Sequence, residues 1–177
     1  RIVSLRRYSQ VFEQMAARPE SHQKAKMRRL AKEVQLLSQG QLPVHASSSV
    51  FLLQDGARPD KMRALITGPA DTPYAGGCFL FDLYIPAEYP QVPPLVHFCT
   101  TGAGRVRFNP NLYADGKVCL SLLGTWHGGS EVEKWRPNES NIFQVLVSIQ
   151  GMIFIDEPMY NEPGFDCIRG TPEGVKK

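Results

Sequence analysis

Hydrophobic and polar positions recur with different periods along the chain, and each period predicts a different element. In residues 21 to 38, Met27, Leu30, Val34 and Leu37 return at three- and four-residue spacing, one stripe of a helix. Lys24, Lys26, Arg28, Arg29 and Lys32 fall largely on the remaining faces, which reads as a solvated surface. Ser21 stands where it can cap this helix, and Gly40 where it can end it. An earlier helical pattern, Leu5, Tyr8, Val11, Phe12 and Met15, breaks at Pro19. From Val50 the texture changes to short runs of Val, Ile, Leu and Phe bounded by Gly and Pro: SVFLLQD, MRALITG, CFLFDLYIP and LVHFCT. Such runs in succession predict four strands, most simply an antiparallel meander. Thr67 to Gly77 is turn chemistry, and Glu88 to Pro94, with three prolines in seven residues, predicts a stiff extended connection. Residues 99 to 135 keep no period and predict a long loop, a length that usually marks function. Ser140 to Ile155 returns to helical spacing, with Ile142, Val145, Leu146, Ile149, Met152 and Ile153 on a wide apolar face. That is the expected central packed helix, closed by the two prolines of DEPMYNEP.

Composition narrows the class. A chain of 177 residues, 42% apolar and 21% charged, suits one folded domain that hides roughly 70% of its unfolded surface. Its formal charge of +3 is too mild for a protein that neutralises a run of phosphates, so no nucleic-acid partner is expected. The longest apolar stretch, Phe143 to Ile155, is interrupted by Gln144, Ser148 and Gln150 and falls short of the ~20 residues that cross a bilayer. No membrane span is expected. The chain opens on Arg1 without an apolar signal core and reads as a piece of a longer polypeptide. Residues 1–20 are expected to be an extension from that larger protein, helical in pattern, and 21–177 the core domain. Cys78, Cys99, Cys119 and Cys167 stand far apart with no CxxC, which suits free thiols in a reducing compartment. The expected location is cytoplasmic, with the nucleus also open.

Among these thiols Cys119, in GKVCLSLLG, is the one placed in loop territory among Gly and Lys. Cys78 and Cys99 fall in apolar strands, where a thiol is expected to be a small buried hydrophobe. On residue types alone a thiol protease stays open, with His127 and Asn111 on hand as base and orienter, although the spacing fits no protease signature. His127 reads more simply as a surface side chain.

The ordered run TGPADTPYAGGCFLFDLYIPAEYPQVPPLVHF, then FNPNLYADGKVCLSLL, Trp135 and the helix ending in DEP, resembles the ubiquitin-conjugating enzymes from Thr67 to Pro163. The first helix extends the match back to residue 22. ITGPADTPYA, RFNPNLY, DGKVCLS, TWHG, QVLVS, NEPG and RGTP are most similar to the large conjugating domains of giant, baculoviral-repeat inhibitor-of-apoptosis proteins. The sibling hybrid enzymes that join conjugating and ligase activity share much of this texture.

The resemblance implies an α+β fold: a four-stranded antiparallel meander with an N-terminal helix, a central packed helix and a long active-site loop. It implies that Cys119 accepts ubiquitin as a thioester from the activating enzyme and passes it to a substrate lysine. A thiolate serves because it is both a good nucleophile and a good leaving group. Lys117, two residues away, is placed to help its ionisation slightly. Asn111 takes the place of the Asn in the family's His-Pro-Asn motif and is expected to hydrogen-bond the oxyanion or to hold the loop. Here the motif reads Asn109-Pro110-Asn111, so the family's loop-supporting His is an Asn. That puts in question the hydrogen bonds beneath Asn111.

By the same resemblance Glu162 is a candidate acidic gate that orients the incoming lysine, with Asn161 and Asp156 as rivals, and Tyr113 a candidate for the lysine-binding wall. Arg28, Arg29 and Lys32 match the face presented to the activating enzyme. Gln91, Trp135 and Pro137 are candidates for ligase contact, with Gln91 standing where an aromatic is common. The segment GTWHGGSEVEKW is longer than usual by roughly eight residues, which a surface loop tolerates. The implied partners are ubiquitin, the activating enzyme, substrates with acceptor lysines, and a ligase or ligase modules in the same parent chain. No metal and no bound organic cofactor is implied, ATP being consumed upstream by the activating enzyme. Two other classes remain: a catalytically silent ubiquitin-binding scaffold, which would lack the acceptor cysteine, and a carrier of another ubiquitin-like modifier.

Overall fold

The computed structural model describes residues 8, 12–14, 23–126, 133–162 and 164–172. Strands β1 (Val50–Gln54), β2 (Lys61–Thr67), β3 (Cys78–Tyr84) and β4 (Leu95–Phe98) form one antiparallel sheet in the order β1-β2-β3-β4, the expected meander. Register puts Leu52, Ala64, Phe81 and Phe98 in one line across the sheet. Because side chains alternate along a strand, that line and its neighbours Met62, Ile66, Phe79 and Leu83 all face the core.

Helix α1 (Gln23–Leu36) lays Leu30 and, just beyond its end, Leu37 into that core, with Met27 and Val34 partly covered beside them. Gly40, at φ +85°, breaks the chain away as expected. Ser21 and Pro19, the proposed cap and break, lie outside the described residues. Lys26 corrects the expectation of a wholly solvated charged face: it is 1% exposed, 3.5 Å from the Asp60 carboxylate and 5.6 Å from the centre of the Tyr84 ring. A charge is tolerated there because the β1–β2 turn supplies its counter-ion.

Helix α2 (Ile142–Ser148) is the central packed helix, continued by a π-type turn, Ile149–Ile153. Asn141 caps it, in a reciprocal box with Gln144. Ile142, Val145, Leu146, Ile149 and Ile153 are buried, but Met152 is 49% exposed. The wider turn rotates Met152 off the face that a regular 3.6-residue period assigns to it. The helix ends before Asp156, and a 3₁₀ turn, Pro158–Asn161, follows; Pro163 lies outside the described residues.

One connection differs from expectation. Glu88 to Pro94 is not extended: Tyr89 N–H donates to Pro86 O at 3.2 Å and Gln91 N–H to Glu88 O at 2.7 Å, folding it into successive turns around a cis Tyr89–Pro90 bond. Before α1, the described residues 8 and 12–14 lie on the outer sheet face. Tyr8 and Phe12 are buried against Tyr84 and Leu95, the Tyr8 hydroxyl donates to Leu83 O, and Glu13 pairs with Lys61 at 2.6 Å. Residues 12–14 are helical; Leu5, Val11 and Met15 lie outside the described residues. No described helix is long and apolar enough to cross a membrane.

Candidate functional site

The long segment after β4 is a loop by backbone shape but is pinned along its length. Phe98 N–H donates to Gly116 O at 2.8 Å, and isolated bridges join His97 to Lys117 and Leu112 to Val118. Gly116 is required: its φ is +88°, and a Cβ there would stand 2.1 Å from the His97 ring. Leu112, Val118, Leu120 and Leu123 then sink into the core, fixing the turn 109–112 against the stretch 117–120.

Cys119 lies where those two stretches meet. Its N–H donates to Asn111 O at 2.8 Å, and its own carbonyl accepts from Asn111 Nδ2 at 2.9 Å. The pair is close-packed, with Cys119 3% exposed and Asn111 8%. Loop placement thus singled out Cys119, but the inference that Cys78 and Cys99 are the buried thiols is corrected. Cys78 is exposed at the first position of β3, and Cys99 is half-buried just past β4. Burial, with the Asp82 carboxylate adding to it, pushes the Cys99 thiol up to about 12, so it stays protonated. Cys167 is exposed.

The departure at Asn109 leaves the support beneath Asn111 complete. Asn109 Oδ1 accepts from the N–H groups of Asn111 at 2.8 Å and Leu112 at 2.9 Å. Its Nδ2 donates to the Tyr74 hydroxyl at 2.8 Å and to Ile153 O at 3.2 Å. One buried amide therefore ties the turn to the β2–β3 connection and to the end of the central helix. Burial raises the Tyr74 pKa and the bond from Asn109 opposes that rise, so the hydroxyl is neutral at physiological pH.

Of the gate candidates, Asn161 is the one bonded to Asn111: its Nδ2 donates to Asn111 Oδ1 and to Met152 O, each at 2.9 Å. Glu162 instead meets Arg107 at 3.1 Å and lines a separate cavity of about 530 Å³ with Pro110, Pro158 and Phe165. Asp156 is exposed and accepts from Glu157 N–H at 3.0 Å. Tyr113 is half-buried under the Arg107 guanidinium, 4.3 Å from its ring centre, with Lys117 Nζ 5.5 Å from the same ring. Beside Asn111 runs a shallow groove of about 260 Å³ lined by Leu120, Ser121, Trp126, Glu133, Met152, Tyr160 and Asn161. His127 lies outside the described residues.

The other candidate surfaces sit apart. Arg28 and Lys32 are exposed on α1, whereas Arg29 is tied down, donating to Glu33 and, at 2.8 Å, to Ser140 O. Glu33 is a buried hub that sequence reasoning missed. Its carboxylate also accepts from the Tyr89 hydroxyl at 2.6 Å and from Ile142 N–H, at the start of α2, at 2.9 Å. The signal was a stripe at positions 26, 30, 33 and 37, with two charges among its leucines. Gln91 and Trp135 come together around Pro90, whose carbonyl accepts from Trp135 Nε1 at 2.7 Å, while the Trp135 ring lies 5.7 Å from that of Tyr89. Pro137 is half-buried two residues on.

Comparison with known proteins gives this geometry a family context. The family model described as ubiquitin-conjugating enzyme matches residues 29–167. The chain is 57% identical over 157 residues to the human dual E2 ubiquitin-conjugating enzyme/E3 ubiquitin-protein ligase BIRC6, covering 89% of this chain and 3% of that protein. It is 52% identical over 153 residues to a probable ubiquitin-conjugating enzyme, protein 17, of Caenorhabditis elegans, covering 86% of this chain and 21% of that one. The chain thus spans a small part of the length of these curated relatives. Among solved structures it is similar to human ubiquitin-conjugating enzyme E2 G1, with TM-score 0.53 and 29% identity over 73% of this chain and 91% of that one.

Proposed function

The chain belongs to the ubiquitin-conjugating enzymes, and on that premise we propose that Cys119 carries the ubiquitin and Asn111 promotes its transfer. Ubiquitin and an activating enzyme are the partners such a domain works with. In charging, the Cys119 thiolate attacks the thioester carbonyl held by the activating enzyme, a new S–C bond forms, and the activating enzyme's thiolate leaves. In discharge a neutral lysine amine attacks, the C–S bond breaks, the Cys119 sulfur departs as thiolate and the amine's proton is lost, leaving an isopeptide bond. The oxygen of the attacked carbonyl gains charge in between, and a fixed donor beside it lowers that barrier by the cost of losing it, on the order of 100- to 1000-fold in rate.

The reading rests on one observation: the mutual hydrogen bonds of Asn111 and Cys119, which set an amide donor against the backbone of the loop cysteine. The test is a charging assay with purified domain, activating enzyme, ubiquitin and ATP. A domain–ubiquitin band that disappears with thiol reductant is expected, and its absence refutes the assignment. No metal or bound cofactor takes part, and ATP is used upstream. A silent scaffold would have no need of the thiol, and a carrier of another modifier would charge with that modifier's activating enzyme instead.

Finer assignments follow from the same reading. Arg28 and Lys32 are the exposed cations for the activating enzyme, and the Gln91–Trp135 corner with Pro137 is the ligase-facing surface. Glu162 and Tyr113, joined through Arg107, form the outer wall on the acceptor side. The human relative, a dual conjugating enzyme and ligase by name, supports a parent that joins the two activities, and the resemblance to the conjugating domains of inhibitor-of-apoptosis proteins supports one that restrains apoptosis. Free thiols favour a cytoplasmic setting for it.

A further inference from the structure

Asn161 controls which end of the Asn111 amide faces Cys119. An amide has nearly the same shape with its oxygen and nitrogen exchanged, so only neighbours of unambiguous role settle its orientation. This chain of bonds ends on a backbone carbonyl at each side. Met152 O, 2.9 Å from Asn161, can only accept, so Asn161 presents its NH₂ group there. The same nitrogen reaches Asn111 at 2.9 Å, so Asn111 must offer it oxygen. Asn111 Nδ2 is thereby turned toward Cys119, whose carbonyl, again an acceptor only, takes one of its hydrogens at 2.9 Å. Inverting either amide would set oxygen against oxygen or NH₂ against NH₂, a conflict that water can relieve at the exposed Asn161–Met152 end but not at Asn111, which is 8% exposed.

The fold supplies both ends of this device. Met152 belongs to the π-type turn that finishes the central helix, where carbonyls lose their intrahelical donors. Asn161 closes the short 3₁₀ turn that Pro158 opens, which brings its side chain back over that helix end.

We propose that Asn161 is a positioning residue for ubiquitin transfer: it locks the Asn111 amide so that the second Nδ2 hydrogen is left for the carbonyl oxygen of a thioester on Cys119. The proposal rests on the reading of Cys119 as carrier and Asn111 as donor.

Asn161→Asp tests it with almost no change of shape. An ionised carboxylate cannot donate to Met152 O, and it draws the Asn111 NH₂ toward itself, away from Cys119. Single-turnover discharge to free lysine is expected to slow by about 10- to 100-fold, part of the loss from removing an oxyanion donor outright. The lysine concentration at half-maximal rate and the charging step should hold. Asn161→Ala, which leaves the amide free to choose, should show a smaller loss. In an Asn111→Ala background, Asn161→Asp should change nothing further, since its effect runs through that amide. Discharge at the wild-type rate in both variants overturns the proposal, as does an equal loss with and without Asn111. Loss of charging in both variants would make Asn161 a scaffold residue and overturn it too. A wild-type domain that forms no reducible thioester instead removes the underlying reading of Cys119, and the proposal with it.

Discussion

Replacing Asn109 by Ala should weaken the fold and slow transfer together, and the structure sets the scale. The amide makes four hydrogen bonds in a buried turn, accepting from two N–H groups and donating to Tyr74 and Ile153. Without it, the Asn111 N–H loses its acceptor, whereas the Leu112 N–H keeps the Asn109 backbone carbonyl at 3.2 Å. An orphaned buried donor costs about 1–3 kcal/mol, to which the lost bonds to Tyr74 and Ile153 add about 1 kcal/mol each, and less where water enters the vacated space. A loss of about 3 kcal/mol would lower Tm by about 6–12 °C in a chain of this size. Urea titration followed by Trp fluorescence and circular dichroism checks it, since a lost bond shifts the midpoint while leaving the slope. Discharge should slow as well, because Asn111 loses the anchor on its own N–H. Asn109→His is the informative companion. A neutral imidazole has one acceptor and one donor, so it can serve one of the two N–H groups and one of the two acceptors. It should fall between wild type and Ala. An Asn109→Ala protein within about 1 kcal/mol of wild type would refute the claim that this amide, rather than Pro110 or solvent, holds the turn.

Three other outcomes follow from the same geometry. Cys119→Ala should form no adduct and Cys119→Ser a slower oxyester that resists reductant but yields to hydroxide, while Cys78→Ala, Cys99→Ala and Cys167→Ala should charge normally; gels with and without reductant distinguish them. Arg28→Glu with Lys32→Glu should slow charging at low salt and lose that effect as the Debye length falls from about 10 Å at 0.1 M to about 3 Å at 1 M, with discharge of a preformed thioester unchanged. Arg29 is unsuitable for this test because its reversal would also break the bonds to Glu33 and Ser140. Glu33→Ala should cost about 2–6 kcal/mol in chemical denaturation, since it leaves the buried Tyr89 hydroxyl and Ile142 N–H without their acceptor, while the partly exposed Arg29 keeps its bond to Ser140 O; a loss below about 1 kcal/mol would mean that the helix–helix contact does not depend on this carboxylate.

How much of this was legible in the sequence depended on the range of the interaction. The strands could be read because each has one face on the core, and the Ala64–Phe81–Phe98 line is a period-two pattern written three times. Cys119 and Asn111 could be read because they sit in a short motif. Met152 was misplaced because a local period assumes 3.6 residues per turn and the helix ends in a wider one. Lys26 was misplaced because charge was taken to mean solvent, and the counter-ion that allows its burial, Asp60, is distant in sequence. Glu88 to Pro94 was misread as extended because prolines forbid helix and strand without choosing between an extended path and successive turns.

The support of Asn111 was the least legible part, and the reason is physical. Asn109 finds its partner Tyr74 across 35 residues of sequence, and Asn161 meets Asn111 across 50. None of these residues has a periodicity or a charge that marks it, since an amide earns its role only from the acceptors and donors the fold places around it. The same reasoning explains how the turn accepts Asn where the family has His. The requirement at that position is an acceptor aimed at two backbone N–H groups and a donor aimed outward at the core's polar edge, and a side-chain amide carries both on adjacent atoms. With the turn braced beneath by Asn109 and its amide oriented from the side by Asn161, Asn111 is held from two directions. Loss of either brace should therefore cost transfer more than charging, because charging ends at the thiol whereas transfer also needs the donor in place.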